Sequence, residues 1–322
     1  DNYTNSAHYD AITVTKRRDL YDQILSQGQA GRVDEFNAFN GEWLLKMLTL
    51  PEKDRREKKS IIAAYKYVNS LLYKSDITWV PLSVAEMIRV SGNIGLKMSE
   101  SDFSTYCQGK KYGVISDDVL FVGFKDQQMY LLPLEVKVGQ KQKHDKGILQ
   151  AQKLKKYLET CLFGRQDLVG YLYRGLFIRQ IMMQVEKYQL YQTYPDNYFD
   201  ELLENREWWL GGDYQLANIQ NYPKGFVLAF VESDMFFQEK FDIEEEILVI
   251  KLPGACQNKF ISTPLKDLLA QADSKGLFNI PDHFILKKKT DYSVLDLDLN
   301  QLDPVDPVDP VDPVDPVDPV DP

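Results

Sequence analysis

Cysteine is scarce in this chain of 322 residues. Its only cysteines, Cys107, Cys161 and Cys256, lie far apart in the sequence and form no C-x-x-C pair. This spacing argues against a disulfide framework and against a structural zinc site, since both need paired or clustered cysteines. We therefore expect reduced thiols, as in a cytoplasmic protein.

Histidine is equally scarce, with side chains only at His8, His144 and His283. Their wide separation gives little support to a histidine-rich metal centre or to a Ser-His-Asp triad. The lysines around His144 favour a surface position for it, with tuning of a neighbouring site as the alternative. Any catalysis is expected to rest on carboxylates and lysine.

Long hydrophobic runs are missing as well, since no apolar segment approaches the roughly 20 residues that cross a bilayer. The chain begins at Asp1, and no cationic start leads into an apolar segment. We therefore expect no signal peptide, and a chain that is cut from a longer protein. The sequence also has no G-x-x-x-x-G-K-[S/T] loop, the phosphate-binding motif of many ATP-driven motors. If such a motor acts with this chain, it lies on another domain or subunit. A protein without a membrane partner is expected.

The residues that are present suit a folded core and an uneven charge pattern. Hydrophobic residues make up 44% and aromatic residues 12%, which is enough for one large core or two modest ones. The net charge of −10 is unusual for a protein that binds nucleic acid. However, residues 303–322 hold seven Asp and no Lys or Arg, which leaves −3 for the other 302 residues. Residues 137–156 form a basic strip, with seven Lys against one acid, Asp145.

The acidic end is a repeat of Asp-Pro-Val with a period of three residues. Proline at every third position excludes helix interiors and sheet ladders, so polyproline II or a disordered chain is expected. We interpret it as an acidic appendage. The alternative is that its carboxylates imitate DNA phosphates and restrain the basic strip. The predicted organisation is a linker or N-terminal extension over 1–33, a folded domain over 34–300 and this tail over 301–322.

Apolar spacing predicts helices and strands along the folded domain. Helices are predicted over 33–48, 61–72, 147–162 and about 170–191, with the charged patch 52–59 as a connection or first turn. Strands are predicted over 77–80, 226–231 and 247–252, and a hairpin over 119–124 and 129–138. Ser83 and Glu86 have the spacing of a capping box, and Thr263 before Pro264 has the pattern of a helix start. This order predicts an α/β fold with a mixed central sheet flanked by helices.

Two opposite charges, Glu135 and Lys137, lie on the second strand of the predicted hairpin. Because side chains alternate along a strand, the two share one face, while Leu134 and Val136 lie on the other. Unpaired buried charge is costly, so such a pair on a largely apolar hairpin needs a reason. Asp118 directly precedes the adjacent strand, and the hairpin can bring its carboxylate alongside Glu135.

Two carboxylates and one ammonium group are what a magnesium-dependent nuclease requires. Mg²⁺ is a hard cation held by one or two carboxylates together with waters and phosphate oxygens. Asp118 and Glu135 are the predicted ligands, with the backbone carbonyl of Val136 as a further oxygen. The ion would polarise the scissile phosphate and lower the pKa of a bound water, while Lys137 orients that water or neutralises developing charge. Mn²⁺ is expected to substitute for Mg²⁺.

Asp118 before an apolar strand, followed after sixteen residues by Glu135-Val-Lys137, resembles the PD-(D/E)xK nuclease superfamily. The resemblance covers about residues 37–231 and implies a restriction-endonuclease-like core. In it the Asp and Glu bind the metal and the Lys assists the water. It also implies a catalytic role for Gln152 on the following helix, and Glu42 as an extra carboxylate on the first core helix. The interval between Gln152 and Tyr157 is one residue longer than in the RecB-like branch.

Two shorter segments, residues 80–90 and 116–121, are similar to the C-terminal nuclease region of DptH-type phosphorothioation-dependent restriction proteins. That similarity implies attachment to an ATP-driven motor, and partner subunits or domains of a restriction or helicase complex in antiviral defence. In such a setting the basic strip is expected to bind the DNA backbone with an affinity that falls steeply with salt. The lysines assigned to this contact are Lys141, Lys143, Lys146 and Lys153.

Each of these features has a simpler interpretation. Glu-x-Lys on a strand is commonly an ordinary solvated pair, a lysine cluster usually solubilises a surface, and Asp117 competes with Asp118. The two-part arrangement of an aspartate before one strand and Glu-x-Lys on the next favours the active site. We therefore expect a Mg²⁺-dependent DNA endonuclease domain. The alternative is a catalytically inactive nuclease-fold module that binds DNA or partner subunits.

Overall fold

The fold of the chain is α/β in the computed structural model, with a mixed sheet flanked by helices, as the sequence predicts. The described residues are 3–4, 11–12, 19, 33–47, 49–85, 87, 119–139, 144–233, 235–272, 280–287 and 292–294. None of the helices in this part of the chain combines the length and the apolar composition that crossing a membrane requires.

The described helices and strands alternate along the chain. The helices are α1 (Val33–Phe39), α2 (Gly41–Lys46), α3 (Glu52–Leu72), α4 (His144–Phe163), α5 (Leu168–Leu190), α6 (Asp200–Glu204), α7 (Arg206–Leu210), α8 (Cys256–Ser262) and α9 (Leu265–Gln271). The strands are β1 (Tyr3–Thr4), β2 (Ala11–Ile12), β3 (Thr78–Ser83), β4 (Val119–Lys125), β5 (Gln128–Gly139), β6 (Gln215–Ile219), β7 (Phe226–Val231), β8 (Lys240–Glu244), β9 (Ile247–Pro253) and β10 (Tyr292–Val294).

Strand β5 is the centre of the main sheet, which has eight strands within the described residues. The order is β10-β6-β5-β7-β9-β8, and β4 pairs with β5 and in turn with β3. Strands β3, β4 and β5 are antiparallel neighbours, whereas β5, β7 and β9 run parallel. The carboxyl ends of β5, β7 and β9 therefore meet at one edge of the sheet, which we call the carboxyl edge.

Both faces of the sheet are covered by helices. On one face, Leu134, Leu228 and Ile250 belong to the large core that includes Val68 of α3. On the other face, α4 packs Ile148 and Ala151 against a smaller apolar group, formed by Val227, Ile247 and Val249. Helix α4 therefore lies over the face to which Glu135 and Lys137 point.

The predicted hairpin is confirmed, with β4 and β5 joined by a two-residue turn. Asp126 and Gln127 form this turn with φ angles of 47° and 66°. Two consecutive positive φ values are those of a type I′ turn, whose twist matches that of the strands it joins. The ladder runs from the Lys125–Gln128 pair to the Val119–Leu134 pair. Asp118, the residue before Val119, lies outside the described residues.

The prediction of one helix over residues 33–48 is wrong, because the chain breaks at Asn40. Asn40 is extended, with φ −156° and ψ 100°, and its Oδ1 accepts from the backbone N–H of Trp43 at 3.0 Å. Its Nδ2 donates to the hydroxyl of Ser83 at 2.9 Å. Ser83 itself closes β3, and Glu86, its predicted capping partner, lies outside the described residues.

The charged patch 52–59 is not a connection: it forms the first two turns of α3, which is continuous from Glu52 to Leu72. The predicted start of α9 at Thr263 is also wrong. The backbone N–H of Leu265 donates instead to Oε1 of Glu35 at 2.6 Å, so a distant carboxylate on α1 satisfies the helix end.

Strands β6 and β8 and helix α8 were not predicted. In the N-terminal extension, β1 and β2 pair with each other; the acidic tail lies outside the described residues.

Candidate active site

Glu135 and Lys137 are in direct contact on the α4 side of strand β5. The Lys137 ammonium donates to Oε1 of Glu135 and also to Oε1 of Gln150 on α4, the latter at 3.1 Å. The Glu135 residue is only 4% exposed, whereas the Lys137 side chain keeps 32% of its surface. The pair is therefore not an ordinary solvated one: it is a buried carboxylate beside a half-buried ammonium group.

Gly147 allows α4 to approach this pair closely. A Cβ at this position would lie 3.4 Å from Cγ of Glu135 and from Cε of Lys137, and 3.3 Å from Cγ1 of Val227. These distances leave room for little more than a methyl group, so a side chain larger than that of alanine would push the helix away from the strand. The absence of a side chain here therefore brings Gln150, one helical turn further along, within hydrogen-bond distance of Lys137.

A second lysine lies in the same row of the sheet. The register pairs Lys137 with Ala229 on β7, and Ala229 with Lys251 on β9. Directly paired residues point to the same face, so both lysines flank Ala229 on the α4 side of the sheet. With strands about 4.8 Å apart, the two lysine Cα atoms are roughly 10 Å apart. The carboxyl edge thus has two cations separated by a single methyl group.

His144, the first residue of α4, is buried rather than on the surface as the sequence favoured, with 8% of its area exposed. Neither ring nitrogen has a hydrogen-bond partner among the described residues. Burial lowers the pKa of the imidazole, and Lys251 lowers it further; Glu244, Asp145 and Asp242 act in the opposite direction.

The structure brings together only some of the residues that the sequence assigned to the site. Val136 lies between Glu135 and Lys137, on the part of β5 that continues beyond the β4 ladder. Gln152 is not beside the pair: its Nε2 donates to the backbone carbonyl of Glu245 at 3.2 Å and to its carboxylate at 3.3 Å. Glu42 forms an ion pair with Lys46 at 2.6 Å on α2.

Of the four lysines predicted to bind DNA, only Lys146 and Lys153 belong to the described residues. Lys146 is exposed and Lys153 is half-buried, both on α4. Their spacing from Gln150, four and three residues, places them on the same side of the helix as that glutamine. Lys141, Lys143 and Asp118 lie outside the described residues, which contain no group of three or more His, Cys, Asp or Glu that could hold a metal ion.

Gln150, His144 and Lys251 are the candidate site residues that sequence reasoning did not select. Gln150 stands two positions before Gln152, and only the rotation of α4 over β5 decides which of the two faces Lys137. For Lys251 the signal was available, because a lysine interrupts the apolar strand 247–253 at the position that pairs with Ala229. The burial of His144 depends on how α4 lies across the sheet.

Comparison of the chain with protein-family models, with curated proteins and with solved structures found no significant match.

Proposed function

We propose that the chain is a metal-dependent nuclease domain that hydrolyses phosphodiester bonds of DNA. The observation that supports it most is the buried Glu135 carboxylate in contact with Lys137, on a strand whose neighbour begins directly after Asp118. A buried ionic group is expensive to maintain, so a fold that keeps one on a strand needs a reason for it.

The β4–β5 register supports a role for Asp118. Val119 pairs with Leu134, and the next residue of β5 is Glu135. Asp118 directly precedes Val119 in the sequence, and consecutive Cα atoms are about 3.8 Å apart. Two carboxylates, together with the backbone carbonyl of Val136, form an oxygen donor set that fits Mg²⁺ or Mn²⁺.

Each residue then has a defined task. The metal, when bound, supplies a Lewis acid for the scissile phosphate and lowers the pKa of a water molecule. Asp118 and Glu135 would hold the ion, and Lys137 would orient the attacking water or neutralise the charge that develops on the phosphate. Gln150 fixes the direction of the Lys137 ammonium through its 3.1 Å hydrogen bond.

The DNA backbone is bound by the basic strip. Lys146 and Lys153 extend on the side of α4 that also holds Gln150, beside the Glu135–Lys137 pair. Lys141 and Lys143 belong to the segment between this pair and α4. Contacts of this kind hold the substrate without reading its sequence.

The biological setting is proposed from the sequence resemblance alone. In this setting the domain is part of a restriction or phage-defence assembly in the cytoplasm. Other domains or subunits of that assembly supply an ATP-driven motor, to which the domain is attached. The second candidate function is that of a catalytically inactive module that binds DNA or partner subunits. The ion pair supports it, since Glu135 and Lys137 neutralise each other without a metal.

Plasmid cleavage distinguishes the two functions. The full chain is incubated with supercoiled plasmid and Mg²⁺ or Mn²⁺, beside Asp118→Ala and Lys137→Ala. Asp117→Ala is the matched control, because it removes the neighbouring carboxylate only. A nuclease gives metal-dependent nicking that is lost in the first two variants and retained in the control. DNA binding without cleavage under any metal would leave only the inactive module.

A further inference from the structure

The two most exposed large apolar side chains among the described residues lie on one short loop, whose residues 235–237 we call the apolar tip. Met235 keeps 90% of its surface and Phe237 keeps 79%, and Phe236 between them is half-buried. Single apolar residues are common on protein surfaces, whereas a contiguous group of large ones marks an interaction site. The tip is therefore a candidate contact surface.

The loop that carries the tip begins and ends at the carboxyl edge. It follows Val231, whose partners at the ends of the neighbouring strands are Gly139 and Pro253. It leads into Lys240, the first residue of β8, which pairs with Lys251 near the end of β9. Both ends of the loop thus lie at the edge of the sheet that holds the candidate active site.

Hydrogen bonds fix the first part of this loop. The backbone N–H of Phe236 donates to the carbonyl of Ser233 at 3.0 Å, and the N–H of Met235 donates to the Ser233 hydroxyl at 3.3 Å. A hydrogen-bonded turn therefore presents the tip to solvent. Because the turn is formed already, little ordering is needed when a ligand binds.

A row of three lysines crosses the sheet beside this loop. The register joins Lys137 to Ala229, Ala229 to Lys251, and Lys251 to Lys240. Directly paired residues share a face, so the row lies on the α4 side, and the like charges of Lys251 and Lys240 are direct neighbours. The Lys240 ammonium lies 5.8 Å from the centre of the Phe236 ring, which joins the row to the tip.

The described carboxylates near the loop leave this row as the charge closest to the carboxyl edge on the α4 face. Glu232 forms an ion pair with Arg56 of α3 at 2.9 Å. Burial raises the pKa of Tyr67, also on α3, and Glu239 raises it further, which assigns Glu239 to the opposite face of the sheet. Asp242 shares the face of the lysines but lies two residues further from the edge. An anion that approaches this edge therefore meets lysines first.

We propose that the apolar tip inserts between bases of DNA whose backbone lies along the lysine row. The inference rests on the proposed function, from which it takes its substrate. DNA suits both parts of the surface, because phosphates neutralise neighbouring lysines of like charge and the base stack covers the apolar side chains. Phenylalanine and methionine are among the wedges that proteins insert between base steps, and an aromatic ring stacks on any base. Insertion unstacks a base step and bends the duplex at the candidate active site.

The test measures binding of a short labelled duplex to the full chain without divalent ions, for wild type, Phe237→Ala and Phe237→Trp. We expect Phe237→Ala to bind about tenfold more weakly, which is the scale of one lost stacking contact, and Phe237→Trp to bind as wild type does. Because the lost contact is apolar, the dependence of the affinity on salt is expected to stay the same. Lys240→Ala, in contrast, is expected to weaken binding and to reduce the salt slope by about one.

Leu168→Ala is the matched control and is expected to keep the affinity of wild type. Leu168 is apolar and 74% exposed, but it begins α5, which follows the end of α4 that lies away from the carboxyl edge.

A second measurement follows the DNA and does not depend on the affinity of a variant. Duplexes carry 2-aminopurine at successive positions, and the fluorescence of this base rises when it is unstacked. Wild type is expected to raise the fluorescence at one position. Phe237→Ala is expected to leave it low, even at concentrations that saturate the duplex.

The outcomes separate this inference from the proposed function. Failure of wild type to bind DNA would overturn both. Absence of cleavage with the fluorescence rise retained would overturn the nuclease and keep the wedge. Equal affinity of Phe237→Ala and wild type, with no rise in fluorescence at any position, would overturn the wedge alone. Self-association of wild type that is lost in Phe237→Ala, with DNA binding unchanged, would assign the tip to a second copy of the chain instead.

Discussion

Buried charge occurs in this chain in two kinds of surroundings. Lys66 on α3 is fully buried and donates to Glu35 and to the carbonyl of Thr263, both at 2.6 Å, while Glu35 also caps α9. These partners all belong to the protein, so the pair joins α1, α3 and α9 and is structural. Lys137, in contrast, is one-third exposed beside the buried Glu135.

The first prediction concerns Gln150 as the positioning residue for Lys137. Gln150→Leu removes the acceptor of the 3.1 Å hydrogen bond, so we expect kcat for DNA cleavage to fall about tenfold with KM unchanged. Gln150→Glu keeps an acceptor oxygen and is expected to restore most of the rate. Both values come from steady-state cleavage of a labelled duplex.

The matched control is Gln152→Leu, because Gln152 bonds to Glu245 and not to Lys137. A loss of kcat in Gln152→Leu but not in Gln150→Leu would contradict the geometry described for α4.

A second prediction concerns Lys155 on the same helix, which donates to the carbonyl of Leu131 at 3.1 Å and to Oδ1 of Asn218 at 2.8 Å. Burial lowers the pKa of its ammonium to about 8. Between this pH and the ordinary lysine range, the unfolded chain binds a proton that the folded chain has released. The contribution of Lys155 to the free energy of unfolding therefore rises as the pH rises from about 8 towards the ordinary lysine range.

We expect the free energy of unfolding of wild type, relative to Lys155→Met, to increase by about 2 kcal/mol between pH 8 and pH 10. Denaturant titrations of both proteins at several pH values measure this difference. A difference that stays constant or falls over this range would show that the ammonium keeps its proton in the fold.

At the scale of elements, the β3–β4–β5 meander depends on a close approach at Gly123. The register pairs Gly123 with Trp79 on one side and with Tyr130 on the other. A Cβ at Gly123 would lie 2.7 Å from Cγ2 of Ile77 and 2.7 Å from the Trp79 ring. Both neighbours are buried and have little room to move.

The third prediction is that Gly123→Ala lowers the free energy of unfolding by about 1–3 kcal/mol, through overpacking against Trp79. Gly147→Ala is the comparison, since its nearest contacts are longer, at 3.3 to 3.4 Å, and alanine favours a helix. Chemical denaturation measures both. A larger loss in Gly147→Ala than in Gly123→Ala would contradict the packing of the meander.

Elements whose pattern is local were predictable from the sequence. The β4–β5 hairpin and strand 226–231 follow from apolar runs, and the shared face of Glu135 and Lys137 follows from strand alternation. Strands β6 and β8 have five residues each, and β8 contains three charges, so neither has an apolar run to detect.

Features that depend on distant contacts were not predictable. The helix break at Asn40 is fixed by its bond to Ser83, and the start of α9 by a carboxylate 230 positions away in sequence. The same holds for the site. The choice between Gln150 and Gln152, and the burial of His144, both depend on how α4 lies across β5, β7 and β9.

At the scale of the whole molecule, the parallel strands and α4 place the candidate site residues at one edge of the sheet. Lys137 and Lys251 lie on either side of Ala229 near the carboxyl ends of β5, β7 and β9, on the face of the sheet that α4 covers. Such edges of parallel sheets are common ligand sites, since helix N-termini and loops converge there. Two lysines therefore lie at this edge of the sheet, although the chain as a whole is acidic.

The central claim is that Glu135, with Asp118, holds a divalent metal ion, and Mn²⁺ binding to the full chain tests it most directly. Electron paramagnetic resonance reports the free Mn²⁺ that remains as the chain is titrated. The account predicts one ion per chain that is lost in Glu135→Gln and in Asp118→Asn but retained in Asp117→Asn. The seven aspartates of the tail add the same weak background to every variant. Equal Mn²⁺ binding by wild type and Glu135→Gln would contradict the account.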